Sequence, residues 1–214
     1  MFAENAVFNQ DLSHFNTTKG STMQGMFRYA SSFNQPLPWT TSLVEDMDEL
    51  FLGTPFNNDL SSWDTSSLTS CRLIFAQNKV FNSPMFSEVS KVLRMAGGVL
   101  NAISFNQSLA GWQTAEVTDM RSLFFNTTAY HEVLCWDLSN RVQVDDMFCG
   151  SLASFNASCV RLKGLVEKTL ADCDSFREDD LNGGGGGSAS NSWMRHQNVS
   201  ILLLLAASAV SLLL

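Results

Sequence analysis

The side chains able to do chemistry are few and spread out. His14, His131 and His196 are scattered, and no Gly-x-Ser-x-Gly, phosphate-cradling loop or pair of metal ligands accompanies them. The acids recur instead: Asp64 and Asp137 each follow a tryptophan, and Asp46 and Asp119 each precede a methionine. Stacked acids could form calcium-binding ladders, but aspartate favours turns, and these are read as turn residues capping strand ends. Cys135, Cys149, Cys159 and Cys173 cluster late in the chain. They suit two disulfides of undetermined connectivity; zinc is the rival, without a Cys-x-x-Cys spacing to support it. Cys71 sits in a methionine column and is read as a buried free thiol. Asn16, Asn106, Asn126 and Asn156 head Asn-x-Ser/Thr sequons and are candidate N-glycosylation sites, with a further sequon at Asn198. No catalytic residue, metal site or cofactor is expected, and the chain is not read as an enzyme.

What must position these residues is a repeat. Phe15, Trp39, Trp63, Glu88, Trp112 and Trp136 form one register, and Phe27, Phe51, Phe75, Leu100, Phe124 and Phe148 follow twelve residues later. Steps of 24, 24, 25, 24 and 24 in both registers mean six copies of one unit. Between the anchors run two mainly apolar columns, in the fourth copy Leu93 and Ala96, and after the Phe the chain returns to an aromatic followed by Asn, as in Phe33-Asn34 and Phe56-Asn57. One copy has too few apolar residues for a core, but coils stacked at ~4.8 Å bury each column against its neighbours. Leu60-Ser-Ser-Trp63 suits a short strand, and the apolar spacing of Met120, Leu123 and Phe124 suits a single helical turn. A plain amphipathic helical array is the alternative; the Asn, Asp, Ser, Thr and Gly between columns disfavour it.

The motifs Trp63-Asp64-Thr65-Ser66 and Val117-Thr118-Asp119-Met120, with the repeated Phe-Asn-Gln, resemble the BspA-like leucine-rich-repeat surface proteins, and within them a repeat of unknown function found in surface lipoproteins. The resemblance covers about residues 1–156 and departs at Glu88 in the fourth copy. It implies a surface-exposed, right-handed repeat solenoid and no reaction. The expected fold is therefore a leucine-rich-repeat-like solenoid with a short parallel strand and a helical turn per 24-residue coil, whose core is Trp39, Trp63, Trp112, Trp136, Phe27, Phe51, Phe75, Phe124 and Phe148.

Past residue 156 the pattern changes. Residues 157–181 are read as a cap, with an amphipathic helix from Leu162 to Leu181, and residues 182–198 as a Gly/Ser-rich linker containing Gly183 to Gly187. Residues 199–214 are apolar apart from serine. With the small residues upstream, they form a glycosylphosphatidylinositol attachment signal with Ser188, Ser190 and Asn191 as candidate attachment residues. A retained tail helix is the alternative, although sixteen residues span ~24 Å against a ~30 Å hydrocarbon core. Met1-Phe2 repeats the register of Met26-Phe27, so the chain is read as lacking earlier repeats and a signal sequence.

Net charge of -8 with 13 Lys and Arg leaves no basic run to neutralise phosphates, which excludes a nucleic-acid partner. The function expected is non-catalytic: a polar repeat face presented at the extracellular side of the plasma membrane for adhesion, or for a protein or glycan ligand, and held there by the lipid anchor or tail. A structural wall or coat component without a dedicated ligand is the alternative.

Overall fold

The structure, a computed structural model, describes residues 1–138 and 141–155. They belong to the first of the two units, Met1–Leu181 and Asn182–Leu214, into which the chain divides. Among the described residues there is no helix. The strands among the described residues are β1 (Val133–Leu134) and β2 (Ser154–Phe155), a two-residue parallel pair in the register Val133↔Ser154 and Leu134↔Phe155. The other copies touch through single parallel bridges, Thr22↔Asp46↔Ser70↔Arg94↔Asp119↔Gln143. The expected leucine-rich-repeat-like solenoid, with a strand and a helical turn in every coil, is thereby overturned. The cap helix, linker and tail fall outside the described residues.

Backbone hydrogen bonding explains why the helical spacing produces no helix. An α-helix returns each N–H to its own carbonyl four residues back. Here the N–H groups of Met23, Gly25, Phe27 and Tyr29 leave their copy and donate to the carbonyls of Asp46, Asp48, Leu50 and Leu52 in the next, at 2.7–3.1 Å. The intervening N–H groups of Met26, Arg28 and Ala30 close four-residue turns onto the carbonyls of Met23, Gly25 and Phe27 instead. Two positions per copy are left-handed, Gly25 and Tyr29 in one copy, Glu49 and Gly53 in the next, Leu73 and Gln77 after that. A right-handed helix cannot pass through them. The expected strand at Leu60-Ser-Ser-Trp63 is also a turn, since Trp63 N–H donates to Leu60 C=O at 3.0 Å.

Burial follows the columns. Trp39, Trp63, Trp112, Trp136, Phe27, Phe51, Phe75, Phe124 and Phe148 are all buried in one continuous core. Phe27, Phe51 and Phe75 stack at 5.8 and 5.4 Å, and a parallel row of Phe33 and Phe56 lies against them, with Phe27–Phe33 and Phe51–Phe56 both at 3.9 Å. Leu52, Leu73, Ala76, Ala96 and Leu100 make a second, smaller cluster with Phe125 packed on it.

The fourth copy is shifted by one residue from the register read in the sequence. Met95 donates to Asp119 as Cys71 does to Arg94, and Val99 donates to Leu123 as Phe51 does to Ile74. Val92, Met95 and Val99 are therefore the inward residues, in place of Leu93, Ala96 and Leu100. Leu93 is 44% exposed. Glu88 stands at the Asp64 position, since Thr65 Oγ1 donates to Glu88 C=O as Thr41 Oγ1 does to Asp64 C=O. The tryptophan position is the exposed Ser87, and the buried ring of Phe86 stacks on Trp112 at 6.1 Å. With Val99 where other copies carry Phe, a small apolar cavity remains beside Cys71, Met95, Val99, Trp112 and Leu123.

Candidate functional site

Two rows of outward polar side chains are the features that repetition builds on the surface. The first begins where the chain turns outward after the second aromatic of each copy. Asn34, Asn57, Asn82 and Asn106 each donate their backbone N–H to the side-chain Oδ1 of the preceding asparagine, Asn9, Asn34, Asn57 and Asn82, at 2.8–2.9 Å. Neighbouring polar groups brace the row: Asn58 Nδ2 reaches Asn34 Oδ1 at 2.8 Å, and Gln107 Nε2 reaches Asn82 C=O at 2.7 Å. Each Oδ1 thus replaces a backbone acceptor, so the row is exposed yet held in register. It ends at Asn106, whose Oδ1 is buried and receives no hydrogen bond; His131 follows in the next copy.

The second row is the corner after the tryptophan. Trp39, Trp63, Trp112 and Trp136 each donate Nε1–H to a carbonyl of the preceding copy, Leu12, Leu37, Phe86 and Leu109, at 2.9–3.2 Å. That bond satisfies the indole of a buried tryptophan and fixes the chain's exit. The next residue points outward in all six copies: Asn16, Thr40, Asp64, Glu88, Gln113 and Asp137 are exposed. The threonine after it turns back, with Thr41 and Thr114 donating to Asp64 and Asp137 carbonyls at 3.0 Å. Asp64 accepts from Ser66 N–H at 3.0 Å, and its bonds to Ser66, the side-chain one foremost, hold its pKa below the ordinary aspartate value. Glu88 is lowered in the same way by Ser90.

The acids do not gather. Asp46 and Asp119 share the bridge column but are separated by Ser70 and Arg94, and each ties its own loop: Asp46 Oδ1 accepts from Asp48 N–H at 2.8 Å, and Asp119 pairs with Arg121 at 2.9 Å. Asp46 is pushed up mainly by burial, despite that bond. Asp48, buried, takes Ser70 Oγ at 2.6 Å and Arg72 Nε at 2.9 Å. Among the described residues no three His, Cys, Asp or Glu side chains converge as a metal site would require.

Cys135 and Cys149 are each disulfide-bonded, while Cys71 is a free, buried thiol whose pKa burial pushes far upward. Cys159, Cys173, Asn156, Ser188, Ser190 and Asn191 lie outside the described residues. The three described sequons differ. Asn16 is exposed, Asn106 is half-buried in the amide row, and Asn126 has a left-handed backbone with Nδ2 donating to Asn101 Oδ1 at 2.8 Å. The Phe-Asn pairs that mark the amide row are visible in the sequence and belong to its expected polar face, but the Oδ1 bonds that join one copy to the next are not.

No helix among the described residues is long and apolar enough to cross a membrane. No curated protein matches the chain, and no solved structure matches it. One family model does, over residues 1–54 and 54–161, which is most of the chain. Its two matches meet at residue 54, inside the repeat, between the buried Leu52 and Phe56. The chain belongs to the family described as Mycoplasma protein of unknown function, DUF285.

Proposed function

We propose that this chain is a non-catalytic surface protein that binds a neutral polar partner, protein or glycan, along its stacked face. The observation that carries the reading is the amide row, where the exposed side chains of Asn9, Asn34, Asn57 and Asn82 are each held by an Oδ1 acceptor bond to the next copy instead of being left free. A prearranged row of donors and acceptors binds an extended ligand with less loss of side-chain freedom than a disordered one. Catalysis is not part of the reading, because the recurring acids Asp46, Asp48, Asp64 and Asp119 are committed to turns and ion pairs. The similarity of the motifs to BspA-like surface proteins supports a location on the extracellular side. The apolar end at 199–214 behind a glycine-rich segment supports a lipid anchor, and release from cells by phosphatidylinositol-specific phospholipase tests it.

The binding reading is tested by screening the purified chain against glycan and cell-surface-protein arrays, beside a variant carrying Gln35→Ala, Asn58→Ala and Gln107→Ala. These side chains brace the row without belonging to the core. Loss of a specific signal with unchanged thermal unfolding supports the reading. A chain that binds nothing but assembles with itself as concentration rises, measured by sedimentation, supports a structural coat role instead.

A further inference from the structure

We propose that, among the described residues, Asn16 is the N-glycosylation acceptor of the folded chain, and that the corner after the tryptophan column is the place in the described copies that can carry a glycan. This goes beyond the binding reading and does not depend on it. The chemistry needs an amide Nδ2 free to approach an activated sugar, and a Ser/Thr hydroxyl two residues on that a transferase can reach together with it.

Asn16 meets both needs. Its residue is exposed, and its Oδ1 alone is engaged, by Thr18 N–H at 3.1 Å and Thr18 Oγ1–H at 2.6 Å. Nδ2 donates no hydrogen bond to any described residue, so amide and sequon hydroxyl sit side by side on one outward corner. Thr17 between them is anchored to the next copy, with Oγ1 donating to Thr40 C=O at 2.9 Å, which holds the corner still. Thr40, Asp64, Glu88, Gln113 and Asp137 occupy the same corner in later copies and are all exposed, so a substituent there leaves the stack without crossing a neighbouring copy.

The other described sequons lack this arrangement. Asn126 spends its Nδ2 on Asn101 Oδ1, its N–H donates to Cys149 C=O, and its backbone is left-handed. The next copy lies flush on it: a Cβ added to Gly150 would come within 3.1 Å of Asn126 Cα. Asn106 is half-buried, its Oδ1 is shut away from solvent, and no bond joins it to Ser108. In the transfer itself, Asn16 Nδ2 forms a bond to the sugar C1, the C1–O bond breaks with its electron pair leaving on the diphosphate, and the proton lost from Nδ2 passes to a base of the transferase. The donor is a diphosphate-activated sugar.

The test uses the purified full chain, a soluble asparagine glucosyltransferase and uridine-diphosphate glucose, with peptide mapping by mass spectrometry. We expect one hexose on Asn16, none on Asn126, and Asn106 modified far more slowly than Asn16. Asn16→Gln should abolish the Asn16 product, and Asp64→Asn, which completes a sequon with Ser66 on the equivalent corner, should add a second acceptor. Modification of Asn126 or Asn106 at the rate of Asn16, an unmodified Asn16, or an unmodified corner in Asp64→Asn overturns the proposal. Thermal unfolding of each variant is followed in parallel, and Asn16→Gln and Asp64→Asn should leave it unchanged because both corners are exposed.

Discussion

Replacing Trp112 by alanine probes the packing most directly, because this ring closes the side of the cavity left by the fourth copy. Trp112 lies between Phe86 at 6.1 Å and Trp136 at 6.0 Å, is buried, and donates Nε1–H to Phe86 C=O at 3.2 Å. A tryptophan-to-alanine change in a core costs ~3 to 5 kcal/mol. The upper half of that range applies here, because removing the ring merges its volume with the existing cavity and the hydrogen-bonded backbone of adjacent copies resists collapse. The orphaned Phe86 carbonyl adds ~1 kcal/mol or more. Trp112→Phe separates the two contributions: it keeps a stacked ring and loses the N–H, so it should cost ~1 to 2 kcal/mol. Urea unfolding followed by circular dichroism gives the differences, and amide exchange shows where they fall. In a stack whose copies contact only their neighbours, protection should drop first from residues 86 to 136. A cost below ~1 kcal/mol for Trp112→Ala, or a uniform loss of protection, would refute the packing described.

Gly53→Ala should destabilise by ~1 kcal/mol or more, because Gly53 has φ +66° and an added Cβ would clash with the Tyr29 ring; in a Tyr29→Ala background only the backbone strain should remain, read by the same denaturation. Val99→Leu should stabilise by up to ~0.8 kcal/mol by placing one more carbon in the cavity, whereas Val99→Phe should lose ~1 to 3 kcal/mol through overpacking against Leu123, and the opposite order would show that the cavity is misplaced. Burial raises the folded pKa of Asp46 above the ordinary aspartate value, so it binds its proton more tightly folded than unfolded and its contribution is lost as pH rises through the folded value. Asp46→Asn keeps an Oδ1 acceptor for Asp48 N–H, so its stability relative to the parent should improve as pH rises from about 3.5 to 6, and denaturation at both ends of that range checks the sign.

Burial was legible in the sequence where it depends on side-chain type at constant spacing. Trp39, Trp63, Trp112 and Trp136 repeat with the Phe column, and a large apolar side chain stacked on its like has nowhere better to go than the core. The turn after the tryptophan was legible too, because Asp64 and Asp137 are turn-forming residues. Local conformation was not. Met120, Leu123 and Phe124 have helical spacing, yet the direction of an N–H is set by whichever acceptor is close, and the stack puts the carbonyls of Gln143 and Met147 opposite Met120 and Phe124. Nothing within one copy signals that acceptor. The shift in the fourth copy was hidden for the same reason: Glu88 aligns with tryptophan by counting, and only its carbonyl, bonded to Thr65, shows that it stands at the Asp64 position. The amide row lies at the same limit. Phe-Asn pairs are written in the chain, but each Oδ1 meets its donor 23 to 25 residues away, so the role of those asparagines exists only once the copies have stacked.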